Sequence, residues 1–229
     1  MLTLRWTSPD RSRPITGERM TTTNPPAPMT DPPPARRLDC YIFIGSTYSV
    51  LTAHRAAAFA AAHGVVLDWK PFSLRTLLRE QDSTPFLGRP AKTAYMWRDV
   101  ERRAARFGIP FARPSRYPVD AAQRANRIAT LAAREGWCAE FLRETYRTWF
   151  LEDRDPGDPD ALADTLHRLG RPATVAARAD APDIEAEFKA NTDAARTLGM
   201  FGAPNFVCEG EVFWGDDRLE DAIAWRLRT

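Results

Sequence analysis

Residues 41–69 read YIFIGSTYSVLTAHRAAAFAAAHGVVLDW, and this stretch decides the fold. Tyr41-Ile42-Phe43-Ile44 is a short apolar, β-rich run stopped by Gly45, the pattern of a buried strand. Ser46-Thr47 can cap a helix from about Tyr48 to His63, which Gly64 ends. Val65 to Trp69 then reads as a second strand, halted by Pro71. A strand, a helix and a strand with connections this short make a right-handed βαβ unit whose strands are parallel.

The C-terminal part answers in kind. A helix is expected from about Ile184 to Leu198, ended by Gly199. Asn205–Cys208 and Glu211–Trp214 flank Glu209-Gly210, a β-hairpin signal, and a last helix runs from about Asp216 to Trp225. Between the two ends the sequence is helical. Tyr95, Trp97, Val100, Ala104 and Phe107 recur at three- and four-residue spacing, and Gly108-Ile109-Pro110 closes that helix. Asp120 with Gln123 resembles a capping box for a helix to Glu135, and further helices fit Cys138–Leu151 and Pro159–Leu169. The element order is that of an α/β thioredoxin-like domain carrying an inserted all-helical domain. The expected division is a disordered tail over 1–37, a thioredoxin-like domain over 38–73 and 184–229, and a helical insertion over 74–183. Eight of the nineteen prolines lie in that tail, which cannot bury enough apolar surface to offset its ordering entropy.

Composition removes several function classes. The net charge of +2 gives no concentrated basic face, so nucleic acid is not an expected partner. No apolar run approaches a membrane span or the apolar core of a signal peptide, and a cytoplasmic location is the default expectation. Cys40, Cys138 and Cys208 are far apart and read as buried thiols. They form no metal-ligand spacing with His54, His63 or His167, so no metal site is expected.

Four places can carry chemistry, each with a plainer alternative. The start of the first helix offers unpaired N–H groups and partial positive charge to an anion such as a thiolate, with Ser46 as hydrogen-bond donor; alternatively Ser46 or Thr47 caps the helix. In Gly199–Phe206, a cis Ala203–Pro204 bond would turn Ala203 backbone groups toward a cleft; a trans-proline turn is the alternative. Asp216 and Asp217 cap the last helix or receive a ligand ammonium group. Lys92, Tyr95 and Asp99 share a helix face, which suits a binding surface or a plain polar cluster.

Taken together, Ser46-Thr47-Tyr48-Ser49 after the first strand, the K-x-x-Y-x-x-x-D helix at Lys92, Tyr95 and Asp99, the G-x-F-G-x-P-x-F segment from Gly199 to Phe206, and F-W-G-x-D-R-L from Phe213 to Leu219 carry a resemblance. The chain from about Leu38 to its end resembles the 2-hydroxychromene-2-carboxylate isomerases and their kappa-class glutathione transferase relatives, within the DsbA-like thioredoxin group. The resemblance implies glutathione as cofactor. Ser46 would bind its sulfur and act catalytically. Ala203 and Pro204 would pair with its backbone, Asp216 and Asp217 would hold its γ-glutamyl end, and Ser83 would complete its site. Lys92, Tyr95 and Tyr48 would contact a small aromatic substrate, and a homodimer is the family expectation. Three positions depart from the pattern: Thr47 replaces a proline, Ser83 an asparagine and Phe43 an aspartate. The implied function is a glutathione-dependent isomerase of a 2-hydroxychromene-2-carboxylate-like aromatic intermediate. The alternatives are a kappa-class-like glutathione transferase and a non-catalytic thioredoxin-like binding module. Disulfide exchange needs a C-x-x-C, and Ser46-Thr47-Tyr48-Ser49 has none.

Overall fold

The fold is taken from a computed structural model, which describes residues 35–228. The tail expected over 1–37 therefore lies outside the described residues, apart from its last three. Of these, Arg36 and Arg37 already belong to the first strand.

β1 (Arg36–Ile42) pairs in parallel with β2 (Val65–Pro71), and the two are joined by α1 (Ser49–Ala62). β3 (Asn205–Cys208) lies antiparallel to β1 on its other side, and β4 (Glu211–Trp214) completes the hairpin at the sheet edge, giving the order β2-β1-β3-β4. The expected βαβ unit and hairpin are both present. Burial on both faces explains why the end of β1, Cys40–Ile42, is an unbroken apolar run, whereas its exposed start carries Arg36 and Arg37. Leu38 and Cys40 point to one face, with Ala56 and Ala60 of α1 and with Leu219, Ala222 and Ile223 of α9 (Leu219–Arg226). Tyr41 and Phe43 point to the other, with Phe72, Ala195 and Met200. Alanines at the buried positions of α1 let its backbone approach the sheet closely. Gly64, at φ +69°, ends that helix in the left-handed region that suits glycine.

Six helices separate β2 from α8 (Pro182–Thr197): α2 (Leu74–Glu80), α3 (Pro90–Arg106), α4 (Arg124–Arg134), α5 (Cys138–Phe150), α6 (Pro159–Arg168) and α7 (Thr174–Ala179). Their core is aromatic: Trp149 and Phe150 stack at 4.5 Å, Phe150 lies 4.8 Å from Phe111, and Trp97 meets Phe150 edge-on. α2 and α7 are too short to declare themselves by periodicity. α2 falls inside the stretch expected as the insertion, yet its Leu74 and Leu77 pack with Ala195 and Met200 against the sheet. Its burial partners place it with the sheet layer.

The capping box expected at Asp120 and Gln123 is not formed. Gln123 adopts φ +56° and makes no side-chain cap bond. Asp120, itself at φ +51°, accepts from the Ala125 and Asn126 N–H groups at 3.3 Å each, so its carboxyl serves the start of α4 from further upstream. That arrangement sets Asn126, fully buried, against the end of β1. The Ile44 N–H donates to Asn126 Oδ1 at 2.8 Å, and Asn126 Nδ2 donates to the Ile44 carbonyl at 2.9 Å and to Asp120 Oδ2 at 2.7 Å. Ile44 is also fully buried and lies beyond the sheet ladder, so its peptide groups need these partners.

Replacing Asn126 by alanine strands a buried N–H, a buried C=O and part of the Asp120 carboxyl, each worth about 1–3 kcal/mol. Asn126→Ala should therefore lower unfolding free energy by roughly 3 kcal/mol or more in a urea titration. A loss below about 0.5 kcal/mol would show that the bridge does not hold the junction.

Candidate active site at the start of the first helix

The segment between β1 and α1 is clamped from the helical block. The Ser46 N–H donates to the Phe43 carbonyl at 3.1 Å. The buried Tyr146 hydroxyl approaches the Phe43 and Ser46 carbonyls at 3.2 and 3.3 Å. Burial pushes the Tyr146 phenol well above its ordinary pKa, so it stays a donor. Gly45 takes φ +131°, and a Cβ there would stand 2.7 Å from the Phe43 ring, so only glycine makes this turn without displacing that side chain.

α1 then opens without a side-chain cap. Tyr48 holds the cap position with helical dihedrals and makes no side-chain cap bond, and the first turn has no acidic residue. The expected capping by Ser46 or Thr47 does not occur. Thr47 is buried, and the Ser46 hydroxyl instead donates to the Ala203 carbonyl at 2.8 Å, across 157 positions of sequence. The helix start thus keeps its partial positive charge, with a half-buried hydroxyl beside it.

The opposite wall is Gly202-Ala203-Pro204. The Ala203–Pro204 bond is cis. The Pro204 carbonyl accepts from the Gly215 N–H at 2.9 Å, and Asn205 Nδ2 donates to the Gly202 carbonyl at 2.7 Å. A Cβ on Gly202 would collide with the Trp214 indole nitrogen, so that ring lies directly on this backbone. Phe201 and Trp214, both about half-exposed, meet at 4.6 Å beside it. The structure therefore brings Ser46, Ala203 and Pro204 together, as the motif pattern expects.

The two aspartates separate. Asp216 is only 2% exposed, with Oδ2 2.6 Å from Arg103 Nη2, an ion-pair distance that lacks the alignment of a hydrogen bond. Burial raises its carboxyl to about 7, aided by the charges of Asp217 and Asp99 and opposed by Arg103 and Arg55. The Asp216 carboxyl is thus turned inward against Arg103. Asp217 remains accessible and accepts from Arg218 Nη2 at 2.8 Å.

On α3, Asp99 accepts from the Tyr48 hydroxyl at 3.1 Å and from Arg102 Nη2 at 3.1 Å. Burial and Asp99 push the Tyr48 phenol well upward, so Tyr48 stays protonated. Tyr95 is exposed, with the Arg102 guanidinium 5.8 Å from its ring centre. Tyr48 and the Tyr95–Asp99 face are thus joined to the start of α1. Lys92 and Ser83 are not. Lys92 Nζ stands 5.4 Å from the Phe86 ring, the Ser83 N–H donates to the Leu78 carbonyl, and no hydrogen bond or ion pair links either residue to Ser46 among the described residues. Cys40, Cys138 and Cys208 are buried and free, and burial raises all three thiols, so none is a ready thiolate.

Asn126, Tyr146 and Arg103 position the site but carry no motif. Asn126 alone left a trace, as a polar residue among Ala125, Ile128, Ala129 and Ala132 on the apolar face of its helix.

Residues 37–223 match the family model described as DSBA-like thioredoxin domain. The chain is 25% identical over 189 residues to the 2-hydroxychromene-2-carboxylate isomerase of Sphingobium xenophagum, covering 81% of this chain and 95% of that protein. A solved 2-hydroxychromene-2-carboxylate isomerase superposes with a TM-score of 0.72 at 22% identity, over 84% of this chain and 95% of the other. The cytosolic disulfide reductase DsbM of Pseudomonas aeruginosa, solved with GSH, gives a TM-score of 0.57 at 18% identity over 84% and 96%.

Asp216 and Asp120, the latter raised by burial to about 6, bind protons more tightly in the folded than in the unfolded chain. Their contribution to stability is present in full below about pH 4 and is lost as pH rises through about 6 to 7. Asp216→Asn should flatten the upper part of that decline in unfolding experiments between pH 4 and 8. An unchanged slope would remove Asp216 from it.

Proposed function

This chain belongs to the DSBA-like thioredoxin domain family, and from that premise we propose that it is a glutathione-dependent isomerase acting on a 2-hydroxychromene-2-carboxylate-like aromatic intermediate. The observation that supports the reading is the Ser46 hydroxyl, 2.8 Å from the Ala203 carbonyl at an uncapped helix start, in a chain without a C-x-x-C. The similarity to an isomerase over most of both chains agrees with it.

The residues present fit the tripeptide. The Ala203 N–H donates to no group among the described residues, so it is available to an extended peptide backbone. Asp217, exposed, would take an ammonium group, while Asp216 pairs with Arg103. When bound, glutathione supplies a thiol that adds reversibly to an unsaturated acid. Ser46 would turn its single proton from the Ala203 carbonyl toward the sulfur and, with the α1 amide groups, hold that sulfur ionised near neutral pH. Tyr48, kept protonated by Asp99, would present its ring beside the helix start, and Tyr95 a further apolar surface. Lys92, exposed beside Phe86, would meet a substrate carboxylate. Ser83 would complete the tripeptide's site without touching the sulfur.

Calorimetry with glutathione tests the cofactor, and absence of binding at millimolar ligand would leave the fold without this function. Turnover of a chromene carboxylate, set against a chloronitrobenzene acceptor, divides an isomerase from a transferase. Ser46→Ala should lower turnover roughly 10- to 100-fold, the worth of one hydrogen bond to a charged group, and raise the bound thiol's pKa as read from thiolate absorbance. Unchanged turnover and thiol pKa would take Ser46 out of the mechanism.

A further inference from the structure

Fifteen of the described arginines lie within ion-pair distance of a carboxylate, among them Arg98, Arg102 and Arg103 along α3. Arg89 and Arg113 have no carboxylate partner among the described residues, and both line a hollow of about 390 Å³ at the start of that helix. The remaining walls are Phe86, Gly88, Pro90, Thr93 and Ala94, with no acidic side chain. The Arg113 guanidinium stands 5.5 Å from the centre of the buried Trp97 ring. The hollow belongs to neither wall of the Ser46 junction. At about 100° per residue, Pro90, Thr93 and Ala94 project from the side of α3 opposite Tyr95 and Asp99, while the Lys92 amine reaches back to 5.4 Å from the Phe86 ring and adds a third cation at the rim.

Two unneutralised guanidiniums over an aromatic and aliphatic floor select one ligand chemistry. A guanidinium offers paired donors matched to a carboxylate, while Phe86, Pro90 and Ala94 favour a flat apolar body. The N-terminus of α3 adds partial positive charge of the same sign. We propose that this hollow is a second ligand site, separate from the thiol site, which binds a small aromatic carboxylate with Arg89 and Arg113 on the anion and Phe86 on the ring. This inference does not depend on the glutathione reading.

The test is amide NMR titration of the full chain with sodium benzoate, benzyl alcohol and inorganic phosphate. Benzoate should give saturable shifts centred on residues 86–94 and 113, and both other probes should bind more weakly. Arg89→Gln, a change confined to an exposed side chain, should weaken benzoate roughly tenfold. Ala94→Phe, which fills the hollow and keeps both arginines, should weaken it at least as much. Saturating glutathione should leave the benzoate shifts in place. The proposal is overturned by any one of four results: no saturable shifts, benzyl alcohol or phosphate equal to benzoate, full affinity in both variants, or displacement by glutathione.

Discussion

The site rests on how the chain leaves the central strand. β1 ends at Ile42, and the Ile44 peptide that follows is buried with no strand beside it. Asn126 supplies what a neighbouring strand would have supplied, one acceptor and one donor, and Asp120 fixes the orientation of the amide. Tyr146 closes the same turn from the next helix. Because an unpaired buried amide is costly, this bridge ties the helical block to the sheet more firmly than apolar contact alone, which tolerates sliding. The position of Ser46 is therefore set from two sides, by the sheet and by helices more than eighty residues away.

The junction brings no negative charge of its own to the start of α1. No carboxylate occupies the first turn of α1, and no side chain caps it. The nearest acids are engaged elsewhere, Asp99 by Tyr48 and Arg102, and Asp216 by Arg103. A serine hydroxyl cannot exchange a disulfide, which separates this chain chemically from C-x-x-C oxidoreductases of similar fold.

Local pattern made the sheet legible. The apolar run at Tyr41–Ile44, the glycine stops and the Glu209-Gly210 turn are short-range signals that mark each strand. β1 nonetheless runs from Arg36 to Ile42, because its polar first half pairs with β2 and the chain turns away after Ile42. Ser46, Ala203 and Pro204 were likewise legible, because a motif marks each end of the contact they make. The rest depends on distance in space. α2 and α7 have too few residues to show a period, and the Arg103–Asp216 pair joins two segments that nothing local connects. The motif marks Asp217 and leaves Asp216 as a variable position, yet it does not say that Asp216 is buried and Asp217 exposed. That difference comes from how the turn after β4 meets α3, which no spacing rule encodes.

The long reach of the Ser46–Ala203 contact has a consequence for how the protein is made. As the nascent chain leaves the ribosome, β1 and α1 emerge with β2 close behind, but the carbonyl that receives the serine proton arrives 157 residues later. Until then one side of the central strand has no neighbour, because β3 comes from the same late segment. The βαβ half must wait as an incomplete sheet through synthesis of the whole helical block, so premature termination or slow translation there leaves an open strand edge exposed to other chains.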